Sequence, residues 1–308
     1  MRIRPVSRCS IVVVLTLLVL PLSRTSGHTL SSPAAPGDFT ARLDSLVPLT
    51  CVASDPETGY VYAQANAGTA FYRYDPWANS WTPLADSPLN SGNNGGAQVL
   101  NGKLYTVYTG NSVHMGVYDI AGGTWSLIGN GLGEGTGDIA TDGEFLYLVA
   151  HLNFKRYDPV ANSWLALAAP PFSFEAWGGL DALGGTIYGH RGNSFTDFAR
   201  YDIASNSWTT LPSLPDGAVL GSAIDPAGKV YYAYGNYGGN GWYAFDLDTE
   251  TWITGPIPLF NVDDGGLAHV GQAGVSGIYF VQGDGGTGFG RFEPHQSLYL
   301  PIVVRHQP

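Results

Sequence analysis

An aromatic-Asp pair followed six residues later by Trp occurs five times in this 308-residue chain: Tyr74-Asp75 with Trp81, Tyr118-Asp119 with Trp125, Tyr157-Asp158 with Trp164, Tyr201-Asp202 with Trp208, and Phe245-Asp246 with Trp252. A sixth copy, Phe292-Glu293 with Tyr299, replaces each member by a chemical relative. Self-similarity at a period of roughly 40 residues means that one supersecondary unit recurs, and such units bury their apolar faces only against each other.

A second signal gives the same count. Each copy is preceded by a turn leading into a short apolar segment that reaches a tyrosine: Tyr62, Tyr105, Tyr147, Tyr188, Tyr231 and Tyr279. Upstream of each lies a run of small or apolar residues: 49–53, 96–100, 137–141, 178–182, 220–224 and 267–270. Each unit therefore reads as four short strands: an inner strand, a Tyr-bearing strand, a strand ending in Tyr-Asp and a Trp-led outer strand. With 42 Gly, 20 Pro and only 13% charged residues, the composition suits many strands joined by tight turns. The fold class expected is all-β, a six-bladed propeller of four-stranded blades. Between Asp and Trp, sequences such as Asp-Pro-Trp-Ala-Asn-Ser at 75–80 are turn chemistry, and this makes the repeat Asp structural.

With its Tyr-Asp pair, a Trp six residues on and a Tyr-bearing strand, the unit resembles the kelch repeat, and the resemblance covers nearly all of residues 39–296. It departs where that family carries Gly-Gly: the equivalents are Ala65-Asn66, Tyr108-Thr109, Ala150-His151, Arg191-Gly192, Tyr234-Gly235 and Gln282-Gly283. Copper-radical oxidases of the galactose oxidase type share the architecture implied by the resemblance, but they need a crosslinked Cys-Tyr pair with His and Tyr ligands. Cys51, on an inner strand, reads instead as a small buried hydrophobe. Exported sialic acid mutarotases are also similar six-bladed propellers of this class, which keeps a sugar-epimerising enzyme as an alternative.

The ends of the chain are different in character. Arg2, Arg4 and Arg8 precede an apolar run from Ile11 to Leu22 and then small residues, the order of a secretory signal peptide. Residues 1–27 are read as the signal, with cleavage between 26 and 35, residues 28–38 as a linker, and 297–308 as a C-terminal strand or tail. The expectation is a secreted or cell-surface monomer, with no nucleic-acid partner and no membrane span after signal cleavage. Loss of residues 1–27 removes four of 14 Lys/Arg and none of 25 Asp/Glu, leaving a formal charge of −15 that repels phosphate backbones. Either end can close the ring: residues 40–48, aligning Pro48 with Pro88 and Pro215, or 297–304 with Tyr299 in the Trp place. The N-terminal closure is preferred, because the end of the chain resembles short tails of secreted proteins.

Loops on a propeller face carry function more readily than blades do. His114, His151 and His190 fall in or at the start of successive loops, without the close spacing of a metal site. Arg191 is a rare basic group in an acidic chain and suits a carboxylate; Glu175 and Asp181 flank the preceding region and suit acid-base work. With His190 and His151, Arg191 and Glu175 form the catalytic candidates. Aromatic rings outside the repeat frame, Trp77, Phe172, Phe174, Trp177, Tyr234, Tyr237 and Trp242, are the candidates for stacking on sugars. Of these Trp177, Trp242, Tyr237 and Phe174, together with Arg191, make up the proposed ligand set. Asp263, Asp264 and Asp284 in Gly-rich loops are candidates for Ca²⁺, though without the spacing of a calcium loop, so no cofactor is required. The reading is a non-catalytic binding or interaction module with a glycan or protein ligand; the alternative is a carbohydrate-active enzyme, an epimerase, mutarotase or lyase, working near the central channel.

Overall fold

The computed structural model describes residues 37–91, 95–107, 114–133, 137–235, 241–260, 265–283 and 285–294. Six four-stranded antiparallel sheets form a six-bladed β-propeller, with no helix among the described residues. The first blade is Leu49–Ser54, Val61–Ala65, Phe71–Asp75 and Ser80–Pro83, and the next four blades repeat this order of strands. The sixth is assembled from both ends of the described chain: Leu267–Val270, Gly277–Gly283 and Gly286–Pro294 are completed by Gly37–Ala41. The N-terminal strand becomes the outer strand of the sixth sheet, so the last blade is held together by segments from both ends of the described chain.

The closing strand follows a register two residues away from the one expected. Phe39 pairs with Phe292, as Trp81 pairs with Tyr74, Trp125 with Tyr118, Trp164 with Tyr157, Trp208 with Tyr201 and Trp252 with Phe245. Phe39 therefore takes the Trp place that the alignment of Pro48 assigns to Ala41, and Gly37 and Asp38 of the segment read as linker are part of the strand. Tyr299 lies outside the described residues. All six aromatic pairs keep one geometry, with ring centroids 4.8–5.3 Å apart.

These pairs join blades to each other. A ring four residues before the repeat acid wedges against the pair of the next blade: Phe71 against Tyr118 and Trp125, Phe154 against Tyr201 and Trp208, Phe198 against Phe245 and Trp252, Phe289 against Tyr74 and Trp81. The indole N–H groups of Trp81, Trp125, Trp208 and Trp252 donate to Leu43, Ala85, Ala168 and Pro212 carbonyls of the preceding connection at 2.8–3.0 Å. Burial with edge-on ring geometry supplies about 0.5–1.5 kcal/mol per pair beyond the area removed from water.

The repeat Asp does what its turn chemistry requires. Asp75 Oδ1 accepts from the Trp77 and Ala78 amides, and Asp158 Oδ1 from those of Val160 and Ala161, each within 2.9 Å. Asn79, Asn162 and Asn206 close the same turns at φ 50°, 47° and 50° while accepting the hydroxyls of Tyr74, Tyr157 and Tyr201. Asn tolerates this left-handed conformation better than most side chains.

Candidate functional site

The six inner strands surround a central channel, and their register decides what faces it. The residues paired with the six repeat tyrosines are Ala53, Gln98, Ala140, Asp181, Ile224 and Ala268. Two residues earlier stand Cys51, Gly96, Asp138, Gly179, Ser222 and Gly266. Each row is small or apolar apart from a few polar members, so Asp138, Asp181, Gln98 and Ser222 stand out.

The channel has two chambers. The mouth, about 50 Å³, is lined by Thr50, Gln98, Asp138, Trp177 and Ser222 among glycines and small apolar residues. The lower chamber, about 160 Å³, is lined by Ser54, Gln98, Asp181, Ser222 and His269 with apolar neighbours. Val52, Ala97, Gln98, Ser222 and Leu267 border both, forming the waist between them. Neither chamber has Lys or Arg among its described lining residues.

The two channel carboxylates tie successive blades together. Asp138 Oδ1 accepts from its neighbour Ile139 at 2.8 Å, and Oδ2 from Leu180 of the next blade at 2.7 Å. Asp181 repeats the device, accepting from Ala182 at 2.8 Å and from Ile224 of the following blade at 2.6 Å. Burial pushes the Asp138 carboxyl up to about 7, helped by the Asp181 charge and opposed by the Leu180 and Ile139 amides. Asp181 rises to about 6, again through burial and against its own amide bonds. Both retain some surface, but that surface faces a narrow channel in which the charged form is poorly solvated. Gly96 leaves the room Asp138 needs, since a Cβ there would collide with its carboxylate and with Ile139.

Beside the channel wall, His190 is fully enclosed, and its Nδ1 lies 2.7 Å from the Tyr231 hydroxyl. Burial drives the imidazole down to about 4, with the backbone of Trp177 acting in the opposite sense, so it is neutral at pH 7. A side chain at Gly179 would run into the His190 ring and the Ser222 hydroxyl. Cys51 is buried in the neighbouring wall, its thiol raised to about 12 by burial and by the Asp138 charge.

Trp177 holds φ +64°, an unusual value for a bulky side chain. It lines the mouth and packs against the apolar cluster shared by the fifth and sixth blades. Its strap is fixed on one side by Glu175, whose amide donates to the Arg191 carbonyl at 2.9 Å, and Gly178 donates back to Glu175 at 3.2 Å.

The remaining candidates are placed as follows. Arg191 is held between Glu175 at 3.4 Å and Asp197 at 3.3 Å, with its guanidinium 3.5 Å from the centre of the Phe195 ring. This latch occupies the charge that was expected to meet a substrate, and none of Arg191, Glu175, His190 and His151 lines either chamber. His151 is exposed at φ +51°, its Nδ1 3.3 Å from Ser173 Oγ. His190, read as a loop residue, instead ends the strand Thr186–His190.

Two expected ligand rings need correction. Trp242 is fully buried and stands four residues before Asp246, the wedge position of Phe71, Phe154, Phe198 and Phe289. It is a repeat residue, packed against Phe292 at 5.0 Å and Phe39 at 5.2 Å, and no ring face is left for a sugar. Phe174 is 1% exposed in the core between the third and fourth blades, paired through its backbone with His151. Tyr237, Asp263, Asp264 and Asp284 lie outside the described residues. Among the described residues, no group of three or more His, Cys, Asp or Glu side chains is arranged to hold a metal ion.

Asp138 was missed by reading the sequence alone. The available signal was an acid in a row otherwise filled by Cys51, Gly96, Gly179, Ser222 and Gly266, but seeing it requires the register.

No family model matches this sequence, and no curated protein matches it. Among solved structures, the chain is similar to that of YjhT, with a TM-score of 0.67 at 13% identity over 82% of this chain and 96% of that one. It is also similar to a structural genomics protein of unknown function from Bacteroides thetaiotaomicron VPI-5482, with a TM-score of 0.65 at 13% identity over 84% of this chain and 76% of that one. At such identity these likenesses bear on the fold alone: the chain is a six-bladed β-propeller.

Proposed function

We propose that this chain is a secreted, non-catalytic binding propeller of the kelch type that takes a glycan at the mouth of its central channel. The observation that carries the reading is the meeting of Trp177 with Thr50, Gln98, Asp138 and Ser222 around one opening. An indole beside hydroxyl, amide and carboxyl groups suits a sugar, whose apolar ring face stacks while its hydroxyls are bonded.

The test is a glycan array probed with the protein starting at His28, with and without Trp177→Ala. Binding to one sugar class that the substitution reduces at least tenfold supports the reading. A protein that binds no glycan, or binds equally well without the indole, overturns it and moves the weight to a protein ligand.

One observation favours the enzymatic alternative. Asp138 and Asp181 are two interacting channel carboxylates raised towards neutral pH, and groups tuned in this way cluster at sites of proton transfer. Faster anomer exchange of an aldose, seen by NMR with the protein and lost in Asp138→Asn, is the result that this alternative requires.

A further inference from the structure

The channel mouth sets the charge of what it can hold. Its lining has one carboxylate, Asp138, one indole, Trp177, and neither Lys nor Arg among the described residues. Asp138 receives one backbone amide on each oxygen. A carboxylate offers about four acceptor sites, so acceptor capacity remains. An ionised carboxylate away from bulk water is costly without a counter-charge. The chain's acidic balance adds a field that draws cations towards it.

From this we propose that the mouth recognises a protonated primary amine on its ligand, an ammonium group seated between Trp177 and Asp138. The inference rests on the mouth being the ligand site and adds the chemical class of the group that enters it. Donor type supports an organic ammonium over a bare metal ion. The space of about 50 Å³ at the mouth has room for an ammonium head beside Trp177 and Asp138. A hard cation such as Ca²⁺ wants six to eight oxygens, whereas the described side chains of the mouth offer those of Thr50, Gln98, Asp138 and Ser222 with a single carboxylate among them. An indole and a carboxylate together attract an ammonium ion by both cation–π and ionic terms.

The experiment is calorimetric titration of the protein starting at His28 with ethylammonium chloride and glucosamine, against glucose and N-acetylglucosamine as uncharged counterparts. The expected result is binding of both amines at least tenfold tighter than of the neutral sugars. Asp138→Asn should remove that preference, while Asp248→Asn, a surface carboxylate paired with Lys229, should leave affinity within about threefold. Ethylammonium, which stays protonated throughout, should also bind more tightly as the pH rises from 6 to 8 and Asp138 loses its proton; Asp181, whose charge acts on Asp138, and Cys51 and Tyr231, which feel the Asp138 charge, are the other titratable groups coupled to it.

Equal affinity for amines and neutral sugars in the unsubstituted protein overturns the proposal without relying on any variant. Neutral glycans binding through Trp177 with no preference for an amine overturn it too, and leave the glycan reading standing. Ethylammonium binding through Asp138 in a protein that ignores every glycan supports it, and removes the glycan reading instead.

Discussion

Trp242 meets Phe39 edge-on, ring centroids 5.2 Å apart, across the seam between the fifth and sixth blades. At four other seams the wedge ring is Phe and the outer strand of the next blade supplies Trp. Here the two are exchanged: the wedge is the larger Trp, and the closing strand supplies the smaller Phe. The exchange keeps the volume at the seam close to that of its counterparts in an interior packed to crystal density.

Trp242→Phe should therefore leave a void and lower stability by about 1–2 kcal/mol, and Phe39→Trp alone should overpack the seam by about 1–3 kcal/mol. The double variant restores the arrangement of the other seams, and a double-mutant cycle from urea unfolding should give a favourable coupling of about 1 kcal/mol or more. Simple additivity would contradict this account.

Asn206 combines a φ of 50° with acceptance of both the Tyr201 hydroxyl and the Ala168 amide, each within 2.9 Å. Asn206→Ala loses the bonds and strains the backbone, with an expected cost of about 2 kcal/mol. Asn206→Gly relieves the strain but not the lost bonds, so its thermal midpoint should lie between those of the Ala variant and the unsubstituted protein.

The Asp138 carboxyl sits at about 7 in the folded protein, against about 3.9 for an unperturbed Asp. Within that window the folded state holds a proton that the unfolded chain has released, so this group's contribution to stability is largest in acid and is lost as pH rises through 7. His190 works with the opposite sign: held at about 4, it contributes above about 6.5 and loses that contribution as the pH falls towards 4. Asp138→Asn isolates the first effect. Relative to the unsubstituted protein, the variant should gain on the order of 1–2 kcal/mol between pH 5 and pH 8 in urea unfolding. A difference that stays constant with pH would contradict the assignment.

The architecture was readable because it repeats. Tyr-Asp with Trp six residues on is covalently local, so five of the six aromatic pairs lie within one stretch of sequence. The sixth, Phe39 with Phe292, joins opposite ends of the chain with a different residue in the Trp place, and no fixed spacing can reveal it. The same limit hid the role of Trp242, because its frame shows only when the wedge position is read across all blades. The channel site was less legible still. Asp138 and Ser222 matter through inner-strand register, and the Arg191 latch depends on Glu175 and Asp197, contacts set by three-dimensional packing. Trp177 was picked out by residue type and position outside the repeat, and its place at the mouth became visible only when the strap was folded over the channel.

The most direct test of the channel mouth as the ligand site is ¹⁹F NMR of the protein labelled with 5-fluorotryptophan, which reports on all eight indoles at once. The Trp177 resonance is assigned by its loss in Trp177→Phe, and the protein is titrated with ethylammonium chloride and with the tightest sugar from the array. The expected result is a saturable shift of the Trp177 resonance while the other seven stay in place. A ligand that binds without moving Trp177, or that moves the exposed Trp77 instead, would contradict it.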